Sequence, residues 1–182
     1  ETFMKSEQDQ DLKKLLYDKN TILVPDGIAI VKAANILNYK VKERITGIDI
    51  ANKLLDFGNE YEKSIYLFGA KEEVLMSLRE ILKEKYPKLN IVGDSNGYIK
   101  DKNKIFNKIS KLNPDIVLVA LGIPEQEKLI YKHLKKFNKG IFVGVGGSFD
   151  VISNHKKRAP KIFIKLNLEW LYRLIKEPKR IK

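Results

Sequence analysis

The run DIVLVAL at residues 115–121 constrains this chain more than any other stretch. After its first aspartate every side chain is apolar, so a strand built from it has no face to give to water. Such a strand belongs in a sheet layered between helices. Apolar, partly β-branched runs recur at 21–24 (TILV), 64–68 (SIYLF), 89–92 (LNIV) and 141–145 (IFVGV), the last with the composition of a strand buried on both faces. Between them lie stretches of helical spacing. The clearest is 71–86, where Val74, Leu75, Leu78, Ile81 and Leu82 share a face and Pro87 stands just beyond the end. Further helices are expected at 3–17, 27–37, 48–57, 104–112, 125–137 and 162–175. The alternation predicts an α/β fold: a mainly parallel, Rossmann-like sheet with helices on both faces. Residues 1–160 form the α/β domain in this reading, and 161–182 a basic, amphipathic helical appendage.

Charge is unevenly placed along this frame. The 182 residues carry a net +12, yet residues 151–182 alone hold ten Lys or Arg against Glu169 and Glu177. One end of the chain therefore suits an acidic partner: nucleic acid, an anionic leaflet or a phosphorylated substrate. The alternative is a lysine-rich solvated surface. The absence of cysteine excludes a disulfide scaffold and thiol chemistry. No apolar run approaches the ~18 residues that a membrane span requires.

In open α/β sheets ligands meet the loops that follow the strands. Those loops are Pro25-Asp26-Gly27, Gly69-Ala70, 93–98, 122–126 and 146–150. Gly146 and Gly147 allow a sharp turn and present bare N–H groups to an anionic ligand, a nucleotide or diphosphate. Asp150 is suited to a ribose hydroxyl or a base N–H, or else to capping a turn. Asp26 is the candidate general base, with capping of the next helix as the alternative. Gly122 opens a strand-to-helix turn whose N–H groups suit phosphate; Gln126 suits a sugar or base, and Pro124 the first helical turn. An ordinary connection explains that segment as well. Tyr98 is placed to stack on a nucleobase or to pack, and Arg44 to clamp a phosphate or to stay solvated.

Asp9-Gln10-Asp11 has the form of a metal-binding DxD but falls within a polar amphipathic helix, and His133 and His155 have no ligand-type companions at metal spacing. VGVGG fits neither a dinucleotide-binding fingerprint nor a P-loop. No metal and no cofactor are expected.

In order along the chain, VPDGIAI, KERITGIDI, LFGA, VALGIPEQEKLI, GVGGSFDVI, KRAP and LEWLYRLIKEPKR resemble the WecG/TagA/CpsF family of bacterial glycosyltransferases, over nearly the whole sequence. The resemblance implies an inverting, metal-independent transfer of N-acetylmannosamine, or its uronic acid, from a UDP-sugar to polyprenyl-diphosphate-linked N-acetylglucosamine. The product is a linkage unit for teichoic acid or a related surface polymer. The UDP-sugar is a substrate, not a cofactor. By the same resemblance Asp26 is the base on the acceptor hydroxyl. Arg44, Tyr98, Gly122, Gln126, Gly146, Gly147 and Asp150 surround the substrates, and Arg173 and Arg180 close over the leaving diphosphate. Glu1 matches the last residue of a Thr-x-Asn-Ala-Glu-like segment of the family, so part of the pocket is expected outside these residues.

The basic and aromatic appendage suits a peripheral contact with an anionic membrane surface, which places the enzyme on the cytoplasmic face of the bacterial plasma membrane. Homo-oligomerisation stays open. So does a relative's donor such as UDP-glucose. A nucleic-acid-binding module has only charge in its favour, lacking a recognition motif and interleaved aromatics; no nucleic-acid partner is expected.

Overall fold

A computed structural model describes residues 2–176 of the chain, Arg173 by its backbone only. Four parallel strands make one sheet: β1 (Ser64–Gly69), β2 (Asn90–Ser95), β3 (Ile116–Ala120) and β4 (Ile141–Gly144), in the spatial order β2-β1-β3-β4. The chain leaves β1 toward β2, then returns past β1 to build β3 and β4. That reversal creates a topological switch point between β1 and β3.

The crossovers are helical, as parallel pairing demands. Helices α1 (Thr2–Ser6), α2 (Gln10–Leu16), α3 (Ile28–Ile36) and α4 (Gly47–Glu60) precede the sheet. Between strands run α5 (Glu72–Lys85), α6 (Lys102–Leu112) and α7 (Glu125–His133), the last extended by a 3-10 turn at Leu134–Lys136. After β4 come α8 (Ser148–Ile152), α9 (Lys161–Lys165) and α10 (Glu169–Lys176). Alternate strand residues serve opposite layers. Ile65, Leu67, Ile116 and Leu118 pack with Leu55, Leu75, Leu78, Leu82 and Phe149 from α4, α5 and α8. Tyr66, Phe68, Val117 and Val119 pack with Phe106 and Ile109 of α6. Burying each such side chain contributes about 1.5–3 kcal/mol. The result is a single α/β domain with helices on both faces of a parallel sheet, as the alternation of patterns predicts.

Several elements depart from expectation for identifiable reasons. Residues 21–24 belong to no regular element and lie outside the sheet, with Ile22 89% exposed. An apolar run becomes a strand only beside a ladder partner, and among the described residues none lies alongside. The run at 141–145 forms an edge strand, not one buried on both faces: β4 pairs with β3, and Ile141 is 52% exposed. The helix expected at 3–17 is two helices, because the Asp9 carboxylate accepts the N–H groups of Asp11 and Leu12 and starts α2 afresh. The helix expected at 162–175 is also two. Asn167 takes a left-handed φ of +58°, and the N–H groups of Asn167 and Leu168 bond back to Ile164 and Phe163, a Schellman ending for α9. Pro124 is the N-cap of α7, one position before the first turn.

Candidate functional site

Strand ends decide which loops are open. At the switch point they are closed: Gly69 has φ +124°, and a Cβ there would lie 2.3 Å from the Ala120 carbonyl oxygen. The Ala70 N–H bonds to that same oxygen, and Gly97 donates to Ala70 across the gap. Gly97 also sits against Leu121, which leaves the neighbouring Tyr98 74% exposed on the rim.

The turns after β3 and β4 differ. Gly122 (φ +84°), Gly146 (φ +49°) and Gly147 border open space, since a Cβ at any of them would meet nothing within 4 Å. Gln126, 3% exposed, ties these turns together: its Oε1 accepts the N–H of Gly122 and of Gly146, each at 3.1 Å. Two of the N–H groups read from the sequence as anion donors, those of Gly122 and Gly146, are therefore engaged by a buried amide. These two glycines instead shape the cradle by their missing side chains. The Gln126 Nε2 donates to Glu127, and a Cβ on Gly144 would come within 2.6 Å of it, so β4 needs glycine beneath this amide. Asp150 stands half-buried in the first turn of α8, on the same edge.

The amino end of α4 adjoins this cradle: a Cβ on Gly47 would lie 3.7 Å from the Val145 backbone. Thr46 caps the helix: its Oγ1 accepts the Asp49 N–H and donates to Asp49 Oδ2 at 2.5 Å, while Arg158 donates to Asp49 Oδ1 at 2.7 Å. Partial burial, the largest single influence, pushes the Asp49 pKa up. The Thr46 and Arg158 hydrogen bonds together outweigh it and hold the carboxyl below its usual range.

The residues before α4 carry the edge to Asp26. Ile45 N–H bonds to the Pro25 carbonyl, and the Arg44 Nε donates to the Asp26 carbonyl at 2.5 Å. Asp26, Arg44, Gly27, Ala29, Asn167 and Trp170 line a cleft of about 290 Å³. The Asp26 side chain is 66% exposed there, 3.8 Å from Arg44 Nη2. Asp26 does not follow a buried strand, nor does it cap α3, whose N-cap is Gly27 without a side-chain bond. The Arg44 side chain is 16% exposed, and its guanidinium donates to Glu169 Oε2 at 3.1 Å. A larger hollow of about 510 Å³ lies between α2 and α7, lined by Asp11, Lys128 and Lys132. Pro124 and Glu125 also line it, so it borders the outer side of the turn after β3, but neither a cradle glycine nor Asp26 faces it, and we place the site at the smaller cleft.

Of the residues singled out in the sequence, Gly122, Gln126, Gly146, Gly147 and Asp150 gather at the ends of β3 and β4. Asp26 and Arg44 face the smaller cleft, joined to that edge through the amino end of α4, and Tyr98 lies on the rim beside the switch point. Arg173 belongs to α10 by its backbone, and Arg180 lies outside the described residues. Asp9 caps α2 and pairs with Lys128 at 2.8 Å. Among the described residues no three His, Cys, Asp or Glu gather as a metal centre, and no helix is long and apolar enough to cross a membrane. The partners that sequence reasoning missed are Glu169 and the Thr46–Asp49 pair. Thr-x-x-Asp before an apolar helix was a legible capping signal.

The family model described as "Glycosyl transferase WecG/TagA/CpsF family" matches residues 1–182. The N-acetylglucosaminyldiphosphoundecaprenol N-acetyl-beta-D-mannosaminyltransferase of Bacillus subtilis (strain 168) is 43% identical over 175 residues, covering 96% of this chain and 68% of that protein. The enzyme of the same name from Bacillus spizizenii is 40% identical over 158 residues, covering 87% and 62%. That of Staphylococcus aureus (strain MW2) is 35% identical over 167 residues, covering 91% and 65%. The chain thus spans about two thirds of the length of these relatives.

Proposed function

Because the chain belongs to the WecG/TagA/CpsF family of glycosyl transferases, we propose that it moves N-acetylmannosamine from UDP to N-acetylglucosaminyl-diphosphoundecaprenol, as its relatives' names describe for their acceptor and sugar. The product is a linkage unit for teichoic acid. The observation that carries this reading is the side-chain-free cradle of Gly122, Gly146 and Gly147, linked through the segment from Arg44 to Gly47 to the cleft that Asp26 lines.

In the reaction the acceptor hydroxyl attacks the anomeric carbon from the face opposite UDP. The bond from that carbon to the β-phosphate oxygen breaks, UDP departs with the electron pair, and the hydroxyl proton passes to the Asp26 carboxylate. The configuration inverts. General-base assistance of this kind contributes typically ~10²–10⁴-fold. The nucleotide lies along the glycine turns with Asp150 at its sugar or base, and Tyr98 is available to the nucleobase from the rim. Negative charge growing on the diphosphate is met by the guanidinium groups of Arg173 and Arg180.

The lipid-linked acceptor brings the enzyme to a membrane surface. Ile162, Leu166, Trp170 and Ile175 are exposed on α9, its C-cap and α10 among Lys161, Lys165 and Lys176. That mixture suits peripheral binding to the anionic cytoplasmic leaflet, at ~1 kcal/mol for each lysine near the surface.

Calorimetric titration of UDP, followed by transfer assays with the lipid acceptor, tests the reading. One-site UDP binding that weakens in Asp150→Ala, with transfer lost in Asp26→Asn but UDP binding retained, is the expected result. UDP binding indifferent to Asp150 removes the nucleotide from this cradle; transfer indifferent to Asp26 removes the base.

A further inference from the structure

Within the reading of Asp26 as base, we infer that Glu169 is a positioning residue for it, acting through Arg44. Glu169 opens α10, and its side chain is 1% exposed in a segment otherwise rich in cations. A carboxylate buried to that degree needs a charged or hydrogen-bonding partner. Arg44 Nη2 supplies one at 3.1 Å.

The same guanidinium holds the Asp26 loop. Its Nε donates to the Asp26 carbonyl at 2.5 Å, which fastens the backbone from which the base projects. Its Nη2 stays 3.8 Å from Asp26 Oδ1, beyond hydrogen-bonding range. The planar fork is thus oriented by Glu169 on one side and grips the main chain of Asp26 on the other. Its positive charge is divided between two carboxylates, so Arg44 steadies the base without closing on it. The bridge spans distant parts of the chain, joining the loop before α4 to the start of α10. Asn167 and Trp170, which flank Glu169, line the Asp26 cleft, so the contact that orients the base also sets one wall of the cleft. Glu169→Gln keeps the shape of the side chain and removes the charge that holds the fork.

A kinetic cycle on transfer to the lipid acceptor tests this, using Asp26→Asn, Glu169→Gln and the double variant, with thermal melting of each. Glu169→Gln is expected to lower kcat about tenfold while KM for the UDP-sugar stays within about twofold, the pattern of a contact that matters in the transition state. If Glu169 acts through Asp26, the double variant is no slower than Asp26→Asn alone. Wild-type kcat in Glu169→Gln, beside a slow Asp26→Asn, overturns the inference and leaves the base standing. So does a double variant whose losses multiply. Wild-type kcat in Asp26→Asn overturns the base and the inference together. Should Glu169→Gln fail to melt cooperatively, Glu169→Asp, one methylene shorter, enters the same cycle with the same expectations.

Discussion

Replacing Gln126 by alanine is the most informative perturbation of the cradle. The side chain is 3% exposed, and its one carbonyl oxygen receives N–H groups from both glycine turns. Truncation strands both donors. A buried donor left without a partner costs ~1–3 kcal/mol, so two would cost ~2–6 kcal/mol. The open space beside Gly122 and Gly146 admits water, which sets the expectation at the lower end, about 2 kcal/mol. Urea denaturation reads this as a lower midpoint at unchanged slope. The turns also lose their common anchor, so UDP affinity should fall about tenfold, equivalent to ~1.4 kcal/mol, by calorimetry. Gln126→Glu keeps an acceptor oxygen at the same reach, though it sets a second carboxylate beside Glu127. It should therefore retain more UDP affinity than the alanine variant. Loss of UDP binding in Gln126→Ala with an unchanged urea midpoint would refute the reasoning, because it would mean that Gln126 meets the ligand and not the turns.

Gly144→Ala should reproduce that phenotype from the opposite side, since its Cβ would displace the Gln126 amide from 2.6 Å away; calorimetry and urea curves check it. Asp115 accepts from Lys139, the Ser64 hydroxyl and the Ser64 N–H, which hold its carboxyl well below the usual range. A depressed carboxylate contributes its full stabilisation above its unfolded pKa of about 3.9 and loses it only as pH falls on through the lower folded value, so Asp115→Asn should cost about 1–2 kcal/mol at pH 7, most of that still at about pH 3, and little only in stronger acid. Burial, with Lys136 and Lys132 nearby, pushes the pKa of His133 down as it stacks on Phe106. The unfolded chain then binds the proton more readily, so stability is lost as pH falls through about 6.5 and below; His133→Gln should flatten stability between pH 7.5 and 5.

Much of the frame was legible because burial on both faces leaves a plain mark. DIVLVAL and SIYLF sit at the centre of the sheet, where both faces are buried and even the one phenol, that of Tyr66, is hydrogen-bonded. TILV carries the same mark yet lies exposed, since composition reports what a strand would bury and not whether a neighbour exists to pair with it. Helix interiors were clear and helix ends were not. Asp9 and Asn167 break predicted helices through local bonds that periodicity does not register. The glycines of the cradle were visible as punctuation after strands. The role of Gln126 was not, because its two partners come from different turns, and one of them is 20 residues away in sequence. Glu169 was hidden in the same way: one of two acids among ten cations reads as a surface ion pair until Arg44 arrives from 125 residues earlier.

The strand order has a consequence for how the chain finds its fold. The central pair, β1 and β3, is clasped at its foot by Ser64 and Asp115, 51 residues apart, whereas β1 and β2 meet across about half that separation. A nucleus of β1, α5 and β2 can therefore form first and present an open flank to β3. Doubling the length of a closed loop adds only about 0.6 kcal/mol of closure entropy. Placing the switch point at the middle of the sheet thus slows assembly by less than a factor of ten, and slowed folding should show as a delay in docking β3 and β4, with β1 and β2 already protected from hydrogen exchange.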